Sequence, residues 1–198
     1  MAVQPSTTSK ITVFNVGLTV AHVGLRDVLD HRERQRVDRT VAEADRARFM
    51  LGAALLRTVA GSMLDLPAEA VTVDRTCSHC GRWHGRPTLP GTALEMSVSH
   101  SGAVVTVAAL LGGGRVGVDV ERTGDRPVRE VVAWTIAEAQ FKAGGGSGLT
   151  LHRLPPPAPR HVLTLATNRA AATVEVVDAT TLLPPSTSWQ PDPGRRRK

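Results

Sequence analysis

Asp119 and Glu121 stand two residues apart in RVGVDVE (115–121), a run that is otherwise apolar or glycine after its first arginine. On a strand, alternate side chains share a face, so Val116, Val118 and Val120 point into a core and Gly117, Asp119 and Glu121 point the other way. The two carboxylates then lie about 6.6–7 Å apart by Cα. Neighbouring carboxylates repel unless a cation or arginines lie between them. Oxygen ligands of this kind suit Mg2+, which keeps waters and also takes substrate phosphates. Gly117 beside them leaves room for a ligand. The same residues also fit an ordinary half-buried strand with a polar outer face and Arg122 as a local partner.

Three further stretches carry chemistry. SVSHSG (97–102) ends a strand in small polar residues and a histidine, offering hydroxyl, imidazole and backbone N–H to an anion. A nucleophilic Ser-His pair is a second reading, although Ser99 and His100 face opposite sides of a regular strand and the G-x-S-x-G elbow is absent. In WTIAEAQFKAGG (134–145), Glu138 and Lys142 are i,i+4 neighbours on a helix face. They read as a metal ligand or base beside a phosphate contact, or as a surface pair, with Thr135 and Glu138 also at capping-box spacing. CSHCGRWHGRP offers Cys77, Cys80, His79 and His84, half of a zinc site or a turn. Arg82 and Arg86 there are candidate phosphate contacts.

The elements that must position these residues follow from patterning. ITVFNVGLTVAHV (11–23) predicts one or two strands, and DHRERQRVDRT (30–40) a charged connection or exposed helix. TVAEADRARFMLGAALLRTVAGSML predicts a helix, with Thr40 and Glu43 as its capping box and either Gly61 as its stop or an extension over Ser62–Leu66. AVTVDR predicts a short strand, and residues 77–91 a loop. LEMSVSHSGAVVTVAALLGGGRVGVDVE predicts three strands, and Thr135–Lys142 a short helix ending at Gly144–Gly146. After a proline-rich loop at 155–159, HVLTLA and AAATVEVV predict a hairpin bent at Asn168-Arg169. Without regular βαβ alternation the class is α+β.

Composition narrows the partners. Aromatics are 3% of the chain, so the core must be aliphatic. Arg195, Arg196, Arg197 and Lys198 supply four of the six net positive charges, so the basicity is largely that of an expected disordered tail over 184–198. No apolar run approaches the ~20 residues that span a bilayer, and the start lacks a signal-peptide pattern. Two cysteines do not make a secreted disulfide framework. The expectation is a cytoplasmic protein with no membrane or nucleic-acid partner.

In this order HGRP, SVSHSG, VGVDVE and WTIAEAQFKAGG resemble the motifs of the Sfp-type 4'-phosphopantetheinyl transferases, across residues 40–180. The resemblance implies an enzyme that moves the phosphopantetheine arm of coenzyme A onto a serine of an acyl or peptidyl carrier protein and releases 3',5'-ADP. It implies a pseudo-twofold monomer of two similar α+β halves, here 1–114 and 115–183, with coenzyme A in the cleft between them. Asp119 and Glu121 match the acidic pair on Mg2+, Glu138 the third carboxylate and catalytic base, and Lys142 the lysine beside the reacting phosphate. Ser99, His100 and Arg86 match contacts to the coenzyme's phosphates, with Arg48 and Arg57 as further candidates. Sixteen residues separate Glu121 from Glu138 where the family usually carries a longer spacer, and Ala137 replaces a common lysine. The alternatives are therefore a shortened, non-catalytic homologue that binds coenzyme A or a carrier protein, and a basic nucleic-acid-binding module.

Overall fold

In the computed structural model, which describes residues 9–186, the chain begins with strand β1 (Lys10–Gly17) and passes through two 3-10 segments into helices α1 (His31–Arg39) and α2 (Glu43–Leu64). A small hairpin follows, β2 (Asp74–Thr76) and β3 (Trp83–Thr88), then β4 (Leu94–Ser101), β5 (Val104–Leu111) and β6 (Val116–Arg122). Helix α3 (Val128–Lys142) precedes β7 (Thr150–Leu154), β8 (His161–Thr167) and β9 (Thr173–Asp178). The mixed α+β class expected from the sequence is observed. The expected tail lies, from residue 187 onward, outside the described residues.

Two main sheets carry the fold, in the orders β4-β5-β1-β9 and β6-β8-β7. Alternation assigns their faces. Ile11, Val13, Val104, Ala108 and Leu110 of the first sheet form one cluster with Val116, Val118, Val120, Leu163 and Leu165 of the second. Each buried valine or leucine contributes about 1.5–3 kcal/mol, so this aliphatic seam holds the sheets together without aromatics. The opposite face of the first sheet packs against α2 through Leu51, Leu55, Val59, Val105 and Val107. Ala139 and Ala143 of α3 cover Ala166 of the second sheet. Among the described residues α2 is also the one helix long and apolar enough to cross a membrane, but most of its apolar window is buried in this core.

Several local expectations need correction. The predicted hairpin at 168–169 does not form, because β8 pairs with β6 and β7 while β9 runs parallel to β1. The capping box lies one helix earlier: Asp30 Oδ1 accepts from Glu33 N at 2.8 Å and Glu33 Oε2 from Asp30 N at 3.2 Å. Thr40 instead donates its hydroxyl to Arg36 O at 2.8 Å and closes the end of α1. Of the two ends left open for α2, Gly61 and an extension over 62–66, the extension forms: Gly61 lies where a Cβ would come 2.6 Å from Leu66 O, and the helix ends at Asp65, with φ 56°. Helix α3 starts at Val128, so Thr135 is mid-helix and caps nothing. Strand β3 crosses the predicted loop at 77–91.

Candidate active site

What holds the two acids of β6 is a row of serines. Ser97, Ser99 and Ser101 alternate along β4 and point at the free edge of β6, whose other edge is taken by β8. Their hydroxyls accept from Val118 N (3.0 Å), Val120 N (3.2 Å) and Arg122 N (3.0 Å). Buried edge N–H groups need such partners. Two of the serines then turn their protons toward the acids: Ser99 Oγ donates to Asp119 Oδ1 at 2.8 Å, and Ser101 Oγ to Glu121 Oε2 at 2.9 Å. At the Ser97 level the facing residue is Gly117, which has no side chain to receive a proton.

Gly117 does not leave room for a ligand. A Cβ there would come 2.1 Å from Ala139 O and 2.4 Å from Ala143 N, so the glycine admits the backbone of α3. That close approach brings Lys142 over the strand, where its Nζ donates to Asp119 Oδ1 at 2.6 Å. A threonine pair fixes the helix one step further along: Thr135 Oγ1 meets Thr164 Oγ1 at 2.9 Å, and Thr164 is the cross-strand partner of Asp119.

Asp119 is 4% exposed, and its Oδ2 is buried without a hydrogen-bond partner. Desolvation raises its pKa above the ordinary carboxylate value, against the lowering effect of Lys142 and Ser99, with the charge of Glu121 adding to the rise. Glu121 is half-buried and also accepts from Arg126 at 3.1 Å. A buried oxygen without a partner, on a carboxylate beside a second carboxylate, is the donor set a hard divalent cation needs. The residues present fit such an ion at Asp119 and Glu121. Glu138 lies one turn before Lys142 on α3, half-buried and with no ion-pair partner among the described residues.

The cationic candidates separate. His100 faces away from the serine row; desolvation, with Arg48 and Lys142 nearby, lowers its pKa. Arg48 donates to Gly102 O at 2.7 Å and pairs with Asp45 at 2.7 Å, which sets it against the β4–β5 turn. Arg48, His100 and Lys142 thus converge from α2, β4 and α3. Arg86 on β3 pairs with Glu95 on β4, with its Nε buried and unpartnered. Arg57, expected at the same anion, is 1% exposed and bonded to Glu33 (2.5 Å), Asp30 (2.6 Å) and Val71 O (2.7 Å). It sits in the interior under α2 and has no open side for a ligand. Sequence reasoning missed the role of Ser97 and Ser101, though the S-x-S-x-S alternation beside V-x-V-x-V was there to be read.

Fold and site together define an α+β chain whose two sheets meet at a serine-lined acidic seam. Residues 21–111 match the family model of 4'-phosphopantetheinyl transferase, N-terminal. The match contains Arg48, Arg57, Arg86, Ser99 and His100 and ends with β5, before the acids of β6. No curated protein matches the chain.

Proposed function

We propose that the chain transfers 4'-phosphopantetheine from coenzyme A to a serine of an acyl or peptidyl carrier protein, releasing 3',5'-ADP. The observation that carries this reading is Asp119: a buried carboxylate with one oxygen unpartnered, beside Glu121 and under Lys142, next to a stretch that matches the N-terminal model of this family. The two α+β halves of the reading, 1–114 and 115–183 in a pseudo-twofold monomer, are supported by one helix lying on each main sheet. Strand β9 nevertheless returns to β1, so the division is one of sheets rather than of uninterrupted chain. The enzyme acts in the cytoplasm on soluble partners and needs neither membrane nor nucleic acid.

Asp119 and Glu121 would hold Mg2+, with Glu138 as third carboxylate. When bound, the ion neutralises charge on the coenzyme's diphosphate. Arg48, Arg86 and His100 bind and orient its phosphates, while Ser99, expected to join them, is buried and holds Asp119 in place. The carrier serine Oγ attacks the β-phosphorus, an Oγ–P bond forms and the P–O bond to 3',5'-ADP breaks. Glu138, directly or through water, takes the serine proton. Lys142 shifts from Asp119 toward the leaving phosphate and steadies its charge.

The test is incubation with a fluorescent coenzyme A, an apo carrier protein and Mg2+. The reading predicts label on the carrier serine that disappears with a chelator. A second reading, a shortened homologue that binds without turnover, is favoured by two observations. Only five residues (123–127) join β6 to α3, and the carboxylates of Asp119, Glu121 and Glu138 are not gathered as a ligand cluster. It predicts bound fluorescence with no covalent label on the carrier.

A further inference from the structure

The turn between β2 and β3 gathers three groups that the transferase reading leaves unused. Cys77 and Cys80 are free thiols, the first half-buried and the second exposed. Their sulfurs and a ring nitrogen of His84 all lie within 4.8 Å of one another, and Cys80 Sγ is 2.9 Å from His84 Nε2. The backbone builds this cluster. Gly81 N–H donates to Cys77 O at 2.8 Å, and Cys77 N–H donates to Arg82 O at 2.8 Å. Gly81 turns with φ 69°, a conformation glycine adopts without strain. At Gly85 a Cβ would come 2.9 Å from Thr76 O and 3.0 Å from Cys77 Cα, so only glycine lets the His84 strand lie this close to Cys77.

The ligand chemistry follows from atom types and spacing. Thiolates and imidazole at Cys-x2-Cys-x3-His select a borderline-soft cation over Mg2+ or Ca2+. Tetrahedral zinc ligands stand about 2.0–2.3 Å from the ion, hence about 3.6 Å from each other. The Cys80–His84 separation of 2.9 Å is below that value and the whole cluster lies within 4.8 Å, so seating an ion needs shifts of about 1 Å, which an exposed turn can make.

We propose that Cys77, Cys80 and His84 bind one ion of the Zn2+ class, with water in the fourth position. The ion clamps the hairpin from its tip. His84 lies two residues before Arg86, which ties the hairpin to Glu95 of β4, so the clamp also steadies that arginine. A Cys77–Cys80 disulfide is the competing chemistry, and the test separates the two.

The full-length chain, reduced and stripped with a chelator, is titrated with Co2+ and then with Zn2+. The expected result is one thiolate-to-cobalt charge-transfer absorption saturating at one equivalent, erased by one equivalent of Zn2+, and a single added zinc in native mass spectrometry. The absorption is lost in the Cys77→Ser, Cys80→Ser double variant, and affinity falls by more than about 100-fold in His84→Ala. His79→Ala, outside the cluster, changes neither. Circular dichroism of each variant verifies that the fold is kept. Absence of a one-to-one complex in protein with two titratable thiols would overturn the proposal, as would unchanged affinity in the double cysteine variant.

Discussion

Glu33 and Asp119 are both buried carboxylates bonded to a cation, yet what surrounds the remaining oxygen differs. Glu33, fully buried at 0% exposure, has the Arg57 guanidinium at 2.5 Å on one oxygen and Arg75 Nε at 3.7 Å from the other. Arg57 in turn reaches Asp30 and Val71 O. The chain itself supplies both countercharges, and that region is a strut between α1, α2 and the segment before β2. Asp119 has Lys142 and Ser99 on one oxygen and nothing on the other. Lys142 keeps a quarter of its side chain in solvent. Glu33 Oε1 also lacks a hydrogen-bond partner, but a guanidinium faces it at 3.7 Å in the interior; Asp119 Oδ2 has neither, at a seam that reaches solvent through Lys142, where our reading places a ligand.

The largest effect that sharpens this contrast is on the closed side. Arg57→Ala leaves Glu33 charged and buried and should cost about 3–5 kcal/mol of stability, read by urea denaturation. A loss under about 1 kcal/mol would mean that Glu33 does not depend on Arg57. On the open side, Gly117→Ala drives a Cβ into the backbone of α3 and should cost about 3 kcal/mol. It also lifts Lys142 from Asp119, so transfer should fall further than melting alone accounts for. Ser97→Ala orphans the buried Val118 N–H and should cost about 1–2 kcal/mol without altering metal dependence.

The smallest effect is a pH signature. Because burial raises the pKa of Asp119, its ionisation opposes folding. Its stabilising contribution is complete below the ordinary carboxylate value of about 3.9 and is lost as pH rises through the raised one. Melting curves of wild type and Asp119→Asn should therefore diverge in slope within that window and run parallel above it. Parallel curves throughout would remove the desolvation argument.

Much of the site was legible in the sequence because strand alternation is local. The faces of Val116, Val118 and Val120 against Asp119 and Glu121 follow from period two alone, as does the outward turn of His100 from Ser99. What stayed hidden depends on tertiary approach. Nothing local distinguishes a glycine that admits a ligand from one that admits a helix, so Gly117 was misread. Arg57 lies on a helix rich in arginine, and only packing shows that it faces inward to a capping pair formed by Asp30 and Glu33. The D-x-x-E spacing at 30–33 was as visible as T-x-x-E at 40–43, but which box forms depends on where α2 begins. The parallel pairing of β9 with β1 joins residues more than 150 positions apart, beyond the reach of hairpin signals.

The central claim is that Asp119 is held incomplete for a cation and not for the fold. It is tested most directly by comparing Asp119→Ala with wild type in Mg2+-dependent labelling of an apo carrier, with thermal melting in parallel. The account predicts that labelling falls by at least about 100-fold while the melting temperature moves by only a few degrees. Labelling that persists in Asp119→Ala, or a variant that unfolds as Arg57→Ala does, would contradict it.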